Sequence, residues 1–167
     1  MLFPSKGFSL NFVKANISEL VEDTYKGFKL LADQKNLIFN LSLPKNTVHA
    51  SVDLDAFNKI LNNLFSNAIK YAVKEAKVEL RVANETGKNF ILDFKNDGFL
   101  IPVEMSEKIF EPFFRIKETK SQKGTGIGLA LSNSLVQLHK GILELKNPDN
   151  NFNYFSLTMP VLQENYN

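Results

Sequence analysis

Residues 61–71 read LNNLFSNAIKY, and the rest of the chain is organised around this stretch. At 3.6 residues per turn, Ile60, Leu64 and Ala68 form one apolar ridge, and Leu61, Phe65 and Ile69 form a second. Asn63, Asn67 and Lys70, at i, i+4 and i+7, fall in line between them. A carboxamide oxygen is a hard ligand for Mg²⁺ and a lysine meets phosphate charge, so this stripe suits a magnesium triphosphate. Nineteen of the 167 residues are asparagine, so taken alone it fits an ordinary solvated helix face equally well.

Outward from this stretch, the apolar spacing from Phe57 to Ala72 predicts one long helix over about Asp53–Ala72. Upstream, Val48–Val52 reads as a short strand. Phe39, Leu41 and Leu43 alternate with polar residues in another, closed by Pro44, and Ile17–Lys35 reads as an amphipathic helix. Downstream, Val78–Val82 and Phe90–Phe94 alternate as strands, joined by a hairpin around Asn84–Lys88. A loop-rich stretch from Gly98 to Lys123 carries one short helical piece, about Glu104–Phe110. A helix over Ile127–His139 and strands near Gly141–Lys146 and Asn153–Pro160 complete the pattern. One-sided strands with three amphipathic helices predict a two-layer α+β sandwich. We read residues 1–167 as one domain with a mobile lid over about 98–123.

Bulk composition narrows the function classes. Hydrophobic residues make up 44% and charged residues 23%, a globular balance. A net charge of +2 provides no field that argues for nucleic acid or membrane. The absence of cysteine removes disulfides and thiolate metal sites. No apolar run approaches the roughly 20 residues that span a bilayer.

Three further segments carry chemistry. KGTGIGLA, Lys123–Ala130, places three alternating glycines before a helix, so backbone N–H groups can approach an anion; a tight loop-to-helix turn is the plainer alternative. It is not a Walker A loop, because no Lys-Ser/Thr follows, nor a dinucleotide fingerprint, whose third glycine would fall at Leu129. NDGFLIP, Asn96–Pro102, follows a strand and alone reads as a turn. KIFEPFFR, Lys108–Arg115, puts three phenylalanines in a loop, which need a core to enter or a partner to cover them. His49 and His139 are isolated, and no Ser/His/Asp order or HExxH pair is present.

In this order the four segments resemble the catalytic domain of sensor histidine kinases, which share a Bergerat-type ATP-binding fold with gyrase, the Hsp90 chaperones and mismatch-repair ATPases. The resemblance runs over about Ile17–Pro160. It implies ATP and Mg²⁺ as ligands, with Asn67 on the metal, Asn63 assisting, and Lys70 at the phosphates. Tyr71 would flank the nucleotide, and Gly124, Gly126 and Gly128 would cradle the triphosphate. Gly98, Ile101, Lys123, Thr125, Ile127 and Leu129 would add contacts, and Arg115 would align the γ-phosphate. Phe110, Phe113 and Phe114 would order the lid and face the domain that carries the acceptor histidine.

Three positions depart from that pattern. The family aspartate that holds the adenine amino group falls on Asn96, whose carboxamide oxygen would accept the same bond without charge assistance, a loss on the order of 1 kcal/mol. Leu100 replaces a glycine, and Phe152-Asn153 replaces a late Gly-x-Ser/Thr. The Asn-Asp-Gly variant and KIFEPFFRIKET look like those of hybrid sensors. Hydrolytic relatives carry a glutamate base where this chain has Asn63, and a carboxamide cannot take a proton.

The implied function is transfer of the ATP γ-phosphoryl to a histidine on a separate domain. Its alternatives are a catalytically impaired nucleotide-binding or docking module, and a related ATPase or protein serine kinase. The implied partners are the histidine-bearing dimerisation domain of the same protein and a response-regulator receiver domain, with no nucleic acid and no direct membrane contact. The implied setting is the cytoplasmic part of a membrane-anchored bacterial sensor.

Overall fold

The computed structural model describes residues 9–83, 86–117 and 124–163. Its helices start where the sequence supplies caps. Strand β1, Val13–Asn16, ends on Asn16, whose side chain accepts from Glu19 N–H at 3.0 Å and opens helix α1, Ile17–Gln34. Strands β2, Ile38–Ser42, and β3, His49–Val52, follow. Asp53 then caps helix α2, Leu54–Tyr71, by accepting from Ala56 N–H at 2.9 Å.

Asp53 holds more than its own helix. Its other carboxylate oxygen accepts from Asn11 N–H at 2.8 Å, and its backbone N–H donates to His139 Nε2 at 3.1 Å. Burial alone would raise this carboxyl, but the donors at Ala56 and Asn11, with His139 nearby, hold it below its ordinary range.

Strands β4, Glu75–Ala83, and β5, Asn89–Asn96, pair antiparallel, consistent with the expected hairpin; residues 84 and 85 of that connection lie outside the described residues. Helix α3, Gly128–Leu138, and strands β6, Ile142–Asp149, and β7, Phe152–Pro160, complete the order. The main sheet runs β2-β4-β5-β7-β6, parallel between β2 and β4 and antiparallel elsewhere, while β1 and β3 form a separate two-stranded sheet.

The side-chain period of two sets the layers. Ala76, Val78 and Leu80 of β4, Phe90, Leu92 and Phe94 of β5, and Phe155, Leu157 and Met159 of β7 all point into one buried cluster beneath the helices. Phe57, Ile60, Leu61, Leu64, Phe65 and Ile69 of α2 fill its middle. Both apolar ridges of α2 are therefore covered, between the sheet and the flanking helices α1 and α3. The result is the expected two-layer α+β sandwich.

Two expectations are corrected. Strand β1 was not anticipated, and the short helical piece is two 3₁₀ turns, Val103–Met105 and Lys108–Phe110, joined by Ser106 and Glu107. Of the lid, residues 118–123 lie outside the described residues, and with them the predicted contact Lys123.

Candidate functional site

A cavity of about 530 Å³ lies between α2, the start of α3 and the connection after β5. Asn63, Ser66, Asn67, Lys70 and Tyr71 line it from α2, so the polar stripe is the side of that helix left uncovered by its neighbours. Gly124, Thr125, Gly126, Ile127, Gly128 and Leu129 line it from the glycine loop and α3. Asn96, Ile101 and Arg115 of the predicted set line it as well.

Each segment is held by specific contacts. Asn63 Nδ2 donates to Gly128 O at 3.3 Å and Ser132 Oγ at 3.1 Å, which ties α2 to the first turn of α3 and leaves Asn63 Oδ1 for the cavity. Lys35 Nζ donates to Ile69 O at 2.7 Å and Lys70 O at 3.1 Å, satisfying carbonyls at the end of α2. Gly126, at φ +76°, is where a glycine is required: a Cβ there would stand 2.9 Å from Phe113 C and Phe114 O. Phe113 N–H donates to Gly126 O at 2.9 Å, stitching lid and glycine loop together.

The electrostatics favour an anion. Among the described residues lining the cavity, Lys70 and Arg115 are the charged ones and none is a carboxylate. Helix α3 starts at Gly128 without a side-chain cap, so its leading N–H groups are available to a ligand at that end of the cavity. Among the described residues no cluster of three or more His, Cys, Asp or Glu could hold a metal ion. A divalent cation here would rest on carboxamide oxygens such as that of Asn67 and on oxygens of the ligand.

Asn96 and Asp97 divide their work by parity. Counting along β5, residues 90, 92, 94 and 96 face the helices, so Asn96 enters the cavity and Asp97 does not. Asp97 instead accepts from Val73 N–H at 2.8 Å and Lys74 N–H at 3.0 Å, just past the end of α2. Burial alone would raise its carboxyl, but the backbone donors of residues 73–75 outweigh it and hold it low.

Three sequence expectations shift. Gly98 is not in the cavity wall; it sits behind Asn96, donating N–H to Asn96 Oδ1 at 3.1 Å, with its Cα against Tyr71 O. The Asn96 oxygen expected to meet an adenine amine is thus already engaged. Of the three phenylalanines, Phe110 packs edge-on against Phe155 at 6.5 Å and Phe114 turns into the cavity, leaving only Phe113 outward at 63% exposure. Phe110 and Phe114 thus anchor the connection, as the ordering role expected of them requires.

Sequence reasoning missed Asn153, which it counted only as a departure. Asn153 is 3% exposed and lines the cavity beside Phe155. Its Oδ1 accepts from Ile101 N–H at 2.9 Å and its Nδ2 donates to Phe99 O at 2.8 Å, pinning the turn after β5. The available signal was parity: Asn153 shares the inward face with Phe155, Leu157 and Met159, and a buried carboxamide needs partners. Ser66, Phe99, Ile109, Ile116 and Leu131 also line the cavity and were not singled out.

The profile of the histidine kinase-, DNA gyrase B- and HSP90-like ATPase family matches residues 52–163. Sensor protein kinase WalK of Staphylococcus epidermidis is 30% identical over 129 residues, covering 75% of this chain and 21% of that protein. Sensor histidine kinase WalK of Bacillus subtilis is 27% identical over 165 residues, covering 97% of this chain and 27% of that protein. The catalytic domain of histidine kinase ThkA, in a nucleotide-free form, superposes with a TM-score of 0.80 at 26% identity over 92% of this chain and 97% of that one. The chain spans about a quarter of the length of the curated relatives it matches.

Proposed function

Since this chain belongs to the histidine kinase-, DNA gyrase B- and HSP90-like ATPase family, as a histidine kinase ATP-binding catalytic domain, we propose that its cavity presents the γ-phosphoryl of ATP·Mg²⁺ to a histidine on a separate domain. The observation that carries this reading is the convergence of the Asn63–Asn67–Lys70 stripe and the uncapped start of α3 on a wall that has no carboxylate among its described residues.

In this reading Asn67 offers its carboxamide oxygen to the metal, with Asn63 Oδ1 alongside. The metal, when bound, supplies charge neutralisation between the phosphates. Lys70 and the α3 N–H groups hold phosphate oxygens, and Arg115 meets the terminal phosphate. The imidazole nitrogen attacks the γ-phosphorus, a P–N bond forms as the bridging P–O bond breaks, and ADP leaves. The protein's part is positioning and charge stabilisation. Asn63 cannot accept a proton from water, so hydrolysis is slow and the histidine is the favoured acceptor.

Phe113, at the lid, is an outward apolar group beside this site and is our candidate contact for the histidine-bearing dimerisation domain. ThkA has been solved in complex with the response regulator protein TrrA, and a receiver domain of that kind is the downstream partner we propose here. None of the described helices is long and apolar enough to cross a membrane; attachment to a membrane would come from other parts of a sensor.

The test is a melting-temperature shift on adding nucleotide with Mg²⁺. A ligand at 100 times its dissociation constant stabilises by about 2.7 kcal/mol, on the order of 5–10 °C for a domain of this size. The shift should need Mg²⁺ and disappear in Asn67→Ala. A chain that melts at the same temperature with and without millimolar nucleotide would sink this function.

A further inference from the structure

The base end of the cavity has an unusual polarity, and the inference drawn from it rests on the reading that the cavity takes a purine nucleotide. Asn96 and Asn153 face one another as the last pair of the β5–β7 ladder, 2% and 3% exposed. The orientation of Asn153 is set by backbone: turning its amide over would break both the Ile101 N–H bond to Oδ1 and the Nδ2 bond to Phe99 O. Its second Nδ2 hydrogen is thereby directed at Asn96 Oδ1, at 3.3 Å. Gly98 N–H donates to the same oxygen at 3.1 Å.

Both lone pairs of Asn96 Oδ1 are then taken. Among the described residues Asn96 Nδ2 has no protein partner, yet no fully enclosed side-chain nitrogen lacks one, so Nδ2 reaches the cavity that Asn96 lines. The edge presented to a ligand is a donor.

We propose that this site binds 6-oxopurine nucleotides, those of hypoxanthine and guanine, at least as tightly as adenine nucleotides, with Asn96 as donor to the base and Asn153 as the residue that positions it. The 6-amino group of adenine meets the Asn96 NH₂ donor to donor, whereas a 6-oxo group accepts from it. For adenine to be held by its amine, Asn96 must turn over. That turn sets its NH₂ against Gly98 N–H and Asn153 Nδ2, two further donor–donor contacts. A carboxylate at residue 96 has no such conflict, because one oxygen can serve Gly98 and Asn153 while the other serves the amine.

The experiment is calorimetric titration of ADP and IDP, each with Mg²⁺, into the protein and into Asn96→Asp and Asn153→Ala, with melting curves to confirm that each variant is folded. IDP is the probe because it differs from ADP only at the 6-position edge. The unaltered protein should bind IDP at least as tightly as ADP, and Asn96→Asp should move the ratio of dissociation constants at least tenfold toward ADP. Asn153→Ala, which releases the Asn96 amide, should move the same ratio toward ADP; a merely structural loss would weaken both nucleotides alike. A tenfold preference of the unaltered protein for ADP, or a ratio unmoved by Asn96→Asp, overturns the proposal while leaving the nucleotide site intact. Binding of neither nucleotide overturns the nucleotide reading itself, and this inference with it.

Discussion

Gly98→Ala probes how the cavity's end wall is built. A methyl group on Gly98 would overlap the Tyr71 carbonyl oxygen and stand 2.9 Å from Asn96 Oδ1 and 3.0 Å from Tyr71 C. Ordinary contacts begin near 3.4 Å, and two of these three atoms are backbone at the last residue of α2. The end of β5 and the end of α2 must therefore part by several tenths of an ångström. Overpacking of this kind costs about 1–3 kcal/mol, or about 2–12 °C in melting temperature at ~2–4 °C per kcal/mol. The same displacement moves Asn96 and Tyr71, so the melting shift on adding nucleotide should shrink as well. Gly27→Ala is the internal control: it lies in α1 with no atom within 4 Å of an added Cβ, and should gain about 0.5–1 kcal/mol from helix propensity. A Gly98→Ala protein that melts within about 1 °C of the parent, with its nucleotide response unchanged, would refute the argument that Gly98 spaces these two elements.

Phe113→Ala should leave the unfolding free energy within about 0.5 kcal/mol of the parent and nucleotide affinity unchanged, while slowing phosphoryl transfer to a histidine-bearing domain followed by radiolabel. Phe110→Ala, which removes the ring against Phe155, should instead destabilise by about 2 kcal/mol, less than a fully enclosed phenylalanine. Asn63→Glu supplies the missing base, and phosphate release without an acceptor should rise about tenfold or more; release that stays flat while nucleotide still binds would remove Asn63 from the explanation. His139 is fully buried, and burial holds its pKa below the ordinary value against smaller upward pulls from the Leu135 carbonyl and Asp53. The unfolded chain therefore binds that proton first, and the imidazole's contribution to stability is present above about pH 6.5 and lost as pH falls toward the folded value. Urea midpoints measured between pH 7.5 and 5 should fall more for the parent than for His139→Gln. Asp53 and Asp97, both held low, lose their contributions only below about pH 4.

What the sequence made legible was what local periodicity encodes. The ridges of α2 predicted both its burial and the single open stripe, because a helix buried on two sides leaves one line for a ligand. Asn96 rather than Asp97 could be placed from strand parity alone. Non-local pairing was not legible: β1 is four residues long with Val13 exposed, and only its register with β3 makes it a strand. Helix propensity also misled at residues 104–110, where Pro102 and the pull of Ile109 and Phe110 into the core break the stretch into two tight turns. Asn153 escaped because it was compared with a motif it lacks instead of with Asn96 across the ladder.

The joint at Asp53 makes α2 a strut loaded at one end. Asn11 is fastened to the first turn of an 18-residue helix, a rod about 27 Å long, and the far turns of that rod carry Asn67 and Lys70. Tension on the chain ahead of Asn11 is thus transmitted along the rod's axis to the end that lines the cavity, with α3 gripped at the same joint through His139. In an optical trap, force applied through the amino terminus should load the nucleotide site directly, whereas force through the β4–β5 hairpin, at the opposite end of its strands from Asn96, should reach it only by shearing the sheet.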